Sequence, residues 1–170
     1  HIPWKDSEEW NQVYLAIKKI DLLYGDKLGK IFEIGTKIRI KFEEMSEAIE
    51  ELCRHTCVFC DDICCKRATI WFDLKDLLYI YFGLKKFPES QIRKIEGENQ
   101  KTACCYFSSK GCMINRIERP FVCTWYFCPS QVNYLLSHHP QKKKMIDKNL
   151  LVIKELRNKI ETEFIKISSG

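Results

Sequence analysis

The sequence predicts a mainly α-helical single domain. Its 170 residues, of which 45% are hydrophobic and 30% are charged, are enough to bury one core. The long apolar patterns repeat at helical spacing, and only residues 68–72 suggest an extended stretch. Ten cysteines lie in two clusters between the helical segments. We therefore expect a helical arm in residues 5–52 and a C-terminal helix in residues 141–167 to support a compact cysteine-rich module in residues 53–128.

The helical arm contains two predicted helices. In the first, Ser7 is the expected N-cap and Gly25 and Gly29 are expected to end the helix. Its apolar side is formed by Trp10, Val13, Tyr14, Ile17 and Tyr24. The second helix has an a/d seam of seven residues: Ile31, Ile34, Ile38, Phe42, Met45, Ile49 and Leu52. Residues 31–52 could form a homodimer or bind a partner helix, but an intramolecular helix pair needs no second chain and is favoured.

The segment between the two cysteine clusters predicts one further helix. Residues 68–72 are expected to be extended, and Asp73 is expected to cap a helix that ends at Gly83. Pro88 is expected to open another helical turn. We expect residues 97–112 to form a loop.

The C-terminal helix is predicted over residues 141–167. One stripe holds its apolar residues, which are Ile146, Leu150, Ile153, Leu156, Ile160 and Phe164. Lys142, Lys143 and Lys144 lie in its first turn, where the helix dipole does not favour positive charge. We interpret these lysines as a solvated face, with a basic contact surface as the alternative.

The charge of the chain is unevenly distributed. The formal net charge is +5, but residues 1–65 carry nine Lys and Arg against thirteen Asp and Glu, and residues 66–170 carry nineteen against ten. A basic half attracts nucleic acid in many proteins, but no base-stacking motif accompanies the charge here. We therefore expect no nucleic-acid partner. No apolar run approaches the length of a membrane span, about 20 residues, so we expect no membrane insertion.

The start of the chain bears on its compartment. The opening segment HIPWKDSEEW lacks the apolar region of a signal peptide, which predicts a cytoplasmic, reducing location. Cysteines in such a compartment are free thiols or metal ligands more often than disulfides. The alternative is a disulfide-rich secreted domain.

The cysteines form the strongest functional signal. The first cluster holds Cys53, Cys57, Cys60, Cys64 and Cys65, and the second holds Cys104, Cys105, Cys112, Cys123 and Cys128. The spacing of Cys57 and Cys60 lets two sulfurs converge on one ion. Because neighbouring side chains diverge, Cys64 and Cys65 indicate two ions or one bridged cluster. We therefore predict a metal centre whose thiolates come from two chain segments, with zinc ahead of iron because zinc needs no assembly machinery.

Several motifs occur in a recognisable order. They are C-x2-C-x3-CC in residues 57–65, Cys104-Cys105-Tyr106-Phe107, Gly111-Cys112, and Arg119-Pro120 followed by Cys123. Together they resemble the YkgJ-like family of zinc- or iron-chelating cysteine-cluster domains over residues 53–128. The resemblance implies a cytoplasmic metal-chelating protein, and an iron-sulfur cluster is attributed to some relatives.

The resemblance also implies a set of ligands. These are Cys57, Cys60, Cys64, Cys65, Cys104, Cys112, Cys123 and Cys128. Cys53 and Cys105 are extra to the family pattern, and we keep them as reserve candidates. Here one extra residue separates Cys60 from Cys64, and Cys105 replaces the usual proline. Eight sulfurs suit two four-sulfur ions or one polynuclear cluster.

Several other residues near the cysteines could have a functional role. His55, His138 and His139 are expected to be ordinary imidazoles rather than ligands, and Arg119 to bond a thiolate, a helix end or a surface carboxylate. A further group, Trp125, Tyr126 and Phe127, would either wall the site from water or belong to the core. No arrangement of acid, base and nucleophile stands out. The sequence therefore favours a structural or interaction module, and an iron-sulfur redox or metal-dependent enzyme is the alternative.

Overall fold

The protein is mainly α-helical. A computed structural model describes residues 3–4, 6–66, 68, 70–88, 104, 106–108 and 111–169. Within these residues the helices are α1 (Ser7–Tyr24), α2 (Gly29–Thr56), α3 (Leu74–Leu84), α4 (Val122–Trp125), α5 (Pro129–His138) and α6 (Pro140–Ser168). Two short antiparallel strands, β1 (Phe107–Ser108) and β2 (Gly111–Cys112), form a hairpin. The predicted fold class is confirmed.

The N-cap of helix α1 lies one residue earlier than the sequence predicted. Asp6, rather than Ser7, is the N-cap, and its carboxylate accepts a hydrogen bond from the Glu9 amide at 2.8 Å. The buried ring of Trp10 meets Phe72 edge-on, with 6.0 Å between the ring centroids. Gly25 starts a 3₁₀ turn, Gly25–Lys27, which ends α1 and leads into α2.

The seam of α2 is covered by helices of the same chain. All seven of its predicted residues are buried, and α2 packs against α3 and α6. Two further α2 residues, Gly35 and Ala48, are buried, and so is Leu28 just before the helix. The seam therefore packs against helices of the same chain, which is the arrangement that the sequence favoured.

Two glycines allow α2 and α3 to cross closely. A Cβ atom on Gly35 would lie 2.8 Å from the backbone nitrogen of Gly83, and one on Gly83 would lie 2.6 Å from the carbonyl oxygen of Gly35. The sequence predicted that Gly83 would end α3, and this prediction was wrong by one residue. The helix continues to Leu84, and Lys85 takes the left-handed conformation at its end with φ 55°.

A buried ion-pair network joins α3 to α6. Arg157 donates to the carboxylates of both Asp73, at 2.8 Å, and Asp76. The same Asp76 carboxylate accepts the backbone N–H of Phe121 at 3.0 Å, and the Arg157 guanidinium lies over the Phe121 ring. Burial raises the pKa of Asp76 to about 6, while the positive charge of Arg157 opposes that rise. The network thus fixes the chain before α4 onto the helical core.

The remaining segments differ in part from the predictions. Residues 68 and 70–73 have no regular secondary structure, and the hairpin lies within the predicted loop. The turn predicted after Pro88 lies in residues 89–103, outside the described residues. Helix α5 was not predicted, although Pro129 at its first position is a typical helix start.

Helix α6 confirms the C-terminal prediction closely. Its stripe buries Ile146, Ile153, Ile160 and Phe164, whereas Leu150 and Leu156 are partly buried. Lys142 pairs with Glu51 at 2.5 Å, and Lys143 pairs with Asp147 in the next turn. Two of the three lysines are therefore used in surface ion pairs.

Candidate metal centre

The structure describes nine of the ten cysteines, and none of these nine is disulfide-bonded. Cys105 lies outside the described residues. Cys53 lies in the last turn of α2 and Cys57 follows that helix; Cys60 lies in the next turn, Cys64 and Cys65 in a 3₁₀ turn, Cys104 before the hairpin, Cys112 in β2, Cys123 in α4, and Cys128 before α5. Most of these cysteines therefore lie in turns or next to the end of a helix.

One group of cysteines surrounds Gln131. The side-chain nitrogen of Gln131 donates to Cys57 Sγ at 3.6 Å and to Cys53 Sγ at 3.8 Å. Its side-chain oxygen accepts the backbone N–H of Cys128 at 3.2 Å. The end of α2 and the start of α5 thus bring together Cys53, Cys57 and Cys128, which we call the helix-end group.

A second group is held by the backbone near the hairpin. The Cys104 amide donates to the carbonyl of Cys65 at 2.9 Å, and Cys112 pairs with Phe107 across the two strands. Burial raises the pKa of Cys123 to about 12, and the charges of Cys112 and Cys104 add to the rise. We call Cys65, Cys104, Cys112 and Cys123 the hairpin group. Cys64 directly precedes Cys65 in the sequence.

The electrostatics of the first cluster favour one thiolate in each of two pairs, Cys53 with Cys57 and Cys64 with Cys65. The hydrogen bond within each pair, together with burial, raises the pKa of Cys57 and of Cys65. A hydrogen bond from Cys57 lowers the pKa of Cys53 to about 6, and the positive charges of Arg116 and Arg119 lower it further against the effect of burial. A hydrogen bond from Cys65 likewise lowers the pKa of Cys64 to about 6. In each pair, one sulfur holds the proton while the other carries the charge. Such thiolates are the form that binds metals.

Arg116 is a buried cation directed at this cluster. It is 6% exposed, and its Nη2 atom donates to Cys53 Sγ at 3.6 Å. Its Nε atom has no hydrogen-bond partner in the described part of the chain. The sequence singled out Arg119 instead. Arg119 has the extended backbone expected before a proline, and its Nε donates to the carbonyl of Ile114 at 2.9 Å.

Sequence reasoning missed Arg116 and Gln131. Arg116 carried no motif, since the signal in its segment was the Arg-Pro pair three residues later. Gln131 had a weak signal, because Gln at the third position after the N-cap residue, here Cys128, is typical of a helix start. Neither residue's approach to sulfur is encoded locally, because it depends on α5 and the segment before α4 packing against α2.

The aromatic residues near the centre divide into exposed and packed ones. Trp125 and Tyr126 are each 50% exposed, so these two are not core residues, whereas Phe127 packs against the core. Of the histidines, His55 and His138 both stack on Tyr134, with ring centroids 5.6 and 4.7 Å away.

The donor set suits a soft or borderline metal ion. Among the described residues, no three His, Cys, Asp or Glu side chains already stand in the geometry of a metal site. The chemistry nevertheless fits, because the Cys53 thiol lies beside a buried guanidinium that has one unpaired N–H, and the Cys57 thiol shares the Gln131 donor with it. Thiolate sulfur is the ligand that zinc and iron-sulfur clusters use.

Comparisons with known proteins add no relative. No family model, no curated protein and no solved structure matches this chain. None of the described helices combines the length and the apolar character that crossing a membrane requires.

Proposed function

We propose that this protein chelates zinc or iron through cysteine thiolates and acts as a structural or interaction module in the cytoplasm. The proposal follows the resemblance to the YkgJ-like family and takes as its ligands the eight cysteines which that resemblance implies. One observation carries it: the fold brings the two cysteine clusters together although 38 residues separate Cys65 from Cys104. The Cys104 amide bonds the Cys65 carbonyl, and Gln131 bridges Cys57 to Cys128.

The proposed role of the metal is to join these segments. A bound ion supplies coordination bonds between the end of α2, the hairpin and the start of α5, and such bonds contribute directly to folding stability. Zinc is the first choice and iron the second. The module is preferred to an enzyme because the thiolates are numerous enough to saturate their ions, leaving no open position for a substrate.

Counting reactive thiols tests this proposal. In protein prepared without air, we expect eight of the ten thiols to resist alkylation before a chelator is added and all ten to react afterwards. Metal should appear in the chelator fraction at the same time. The same protein in denaturant with the chelator provides the control for the total number of thiols.

Two results would contradict the proposal. The first is ten reactive thiols in the native protein together with no metal by elemental analysis. The second is no reactive thiol at all, with every cysteine paired by mass spectrometry, which would favour the disulfide-rich secreted alternative.

A further inference from the structure

Two buried donors converge on the sulfur of Cys53. Arg116 Nη2 lies 3.6 Å from it and Gln131 Nε2 lies 3.8 Å from it. Arg116 is 6% exposed and Gln131 is 8% exposed, so neither donor is free to turn towards bulk water. A neutral thiol is a weak acceptor, whereas a thiolate accepts strong hydrogen bonds from charged donors. The arrangement is that expected around a sulfur that carries a lasting negative charge.

The burial of Arg116 also favours a negative charge on the Cys53 sulfur. A buried guanidinium without a counter-charge is strongly unfavourable. Among the described residues Arg116 forms no ion pair with a carboxylate, and its Nε lacks a hydrogen-bond partner. A cysteine bound to a metal is deprotonated and keeps much of its negative charge. Metal ligation would therefore keep Cys53 deprotonated and secure the anion that this buried cation requires.

The position of Cys53 suits ligation better than that of Cys60. Cys53 and Cys57 are four residues apart at the end of α2, so they lie on the same face of the helix. The same Gln131 nitrogen that bonds both sulfurs belongs to a side chain anchored on the amide of Cys128. Cys60, in contrast, is exposed in the turn that follows, and no side chain in the described part of the chain bonds its sulfur. Cys64 is also exposed, but its sulfur is hydrogen-bonded with that of Cys65.

We propose that Cys53 is a ligand of the metal centre together with Cys57 and Cys128, and that Cys60 lies outside the ligand set. Arg116 and Gln131 are then positioning residues, which orient the Cys53 sulfur and offset the charge of the thiolates. This inference rests on the proposed function, since it assigns the ligands of the same metal centre. It replaces one of the eight ligands that the family resemblance implies.

Titration with Co²⁺ tests the assignment, because the intensity of thiolate-to-cobalt charge transfer increases with the number of bound sulfurs. The full-length protein is stripped of metal without air and compared with the matched variants Cys53→Ser and Cys60→Ser. We expect Cys60→Ser to keep the wild-type spectrum and affinity. Cys53→Ser should lose about one sulfur's share of the charge-transfer intensity and bind Co²⁺ at least about 10-fold more weakly.

The outcomes separate the two proposals. If wild-type protein shows no charge-transfer band, the proposed function fails and this inference fails with it. If the wild type shows the band but Cys60→Ser, and not Cys53→Ser, weakens it, the centre stands and only the assignment of Cys53 is overturned. Alkylation of Co²⁺-loaded wild-type protein tests the same assignment without any variant, and so does not depend on a variant folding correctly. Cys60 should react readily and Cys53 should be protected, and the reverse order would overturn the assignment.

The role of Arg116 has its own readout. Arg116→Met should weaken Co²⁺ binding by about 10–100-fold and shift the energy of the charge-transfer band, since the sulfur loses its cationic donor. Arg116→Lys keeps the charge and should restore part of the affinity. A merely structural arginine would leave the band of the bound cobalt unmoved, which would contradict a direct interaction with Cys53.

Discussion

Replacing Arg157 with Met is expected to destabilise the protein by about 3–5 kcal/mol, because the substitution leaves a buried carboxylate without its cation. Asp76 and Arg157 are each 4% exposed and pair directly. The Asp76 carboxylate also holds the Phe121 amide, so the chain that leads into α4 should loosen when the network is broken. Urea denaturation followed by circular dichroism measures the free energy of unfolding.

A surface pair offers the matched control for this prediction. Lys37 and Glu33 form an exposed ion pair within α2, and Lys37→Met should cost less than about 1 kcal/mol. The double variant Arg157→Met with Asp76→Asn should recover part of the loss, since it removes the unpaired charge as well. An Arg157→Met variant that unfolds within 1 kcal/mol of the control would show that the network does not stabilise the fold.

Substitution of Gly35 by Ala is expected to cost about 1–3 kcal/mol, although Ala favours helix more than Gly does. The new Cβ atom would meet the nitrogen and Cα of Gly83 at 2.8 and 3.0 Å, and backbone atoms cannot turn aside as a side chain can. Helices α2 and α3 would have to move apart and lose packing between them. Thermal and urea denaturation should both register the loss.

Gly25 provides the comparison, because a Cβ atom there meets nothing within 4 Å. Gly25→Ala should change the free energy of unfolding by no more than about 0.5 kcal/mol. Equal stabilities for the Gly35→Ala and Gly25→Ala variants would contradict the close crossing of α2 and α3.

Periodicity explains how much of the fold could be predicted. The seam of α2 and the stripe of α6 are long repeats, and a long repeat identifies a helix and its buried face without knowledge of the neighbours. The roles of Gly35 and Gly83 could not be predicted in this way. A glycine in a helical pattern signals weakness or an end, whereas the close crossing depends on which two helices meet. Helix α5 was missed because it is short and adjoins the cysteine cluster.

In the candidate centre, too, local features could be predicted from the sequence and long-range contacts could not. The cysteines of the candidate centre could be read from the sequence. The structure adds that Cys53 and Cys57 of the helix-end group meet at Gln131. The donors to sulfur are long-range neighbours: Arg116 and Gln131 lie far along the chain from Cys53. No local pattern encodes such an approach, because it results from the packing of α5 and the segment before α4 against the end of α2. Tyr79 helps to hold that segment, since its hydroxyl donates to the carbonyl of Ile117 at 2.8 Å.

X-ray absorption at the metal edge, combined with elemental analysis of protein purified without air, tests the central claim most directly. The measurement gives the identity of the metal, the number of ions per chain, and the elements that surround each ion. We expect zinc, or iron in second place, with a first shell of about four sulfurs at about 2.3 Å. A protein that contains no metal, or one whose metal is surrounded by nitrogen and oxygen alone, would contradict the claim that its cysteine clusters form a metal centre.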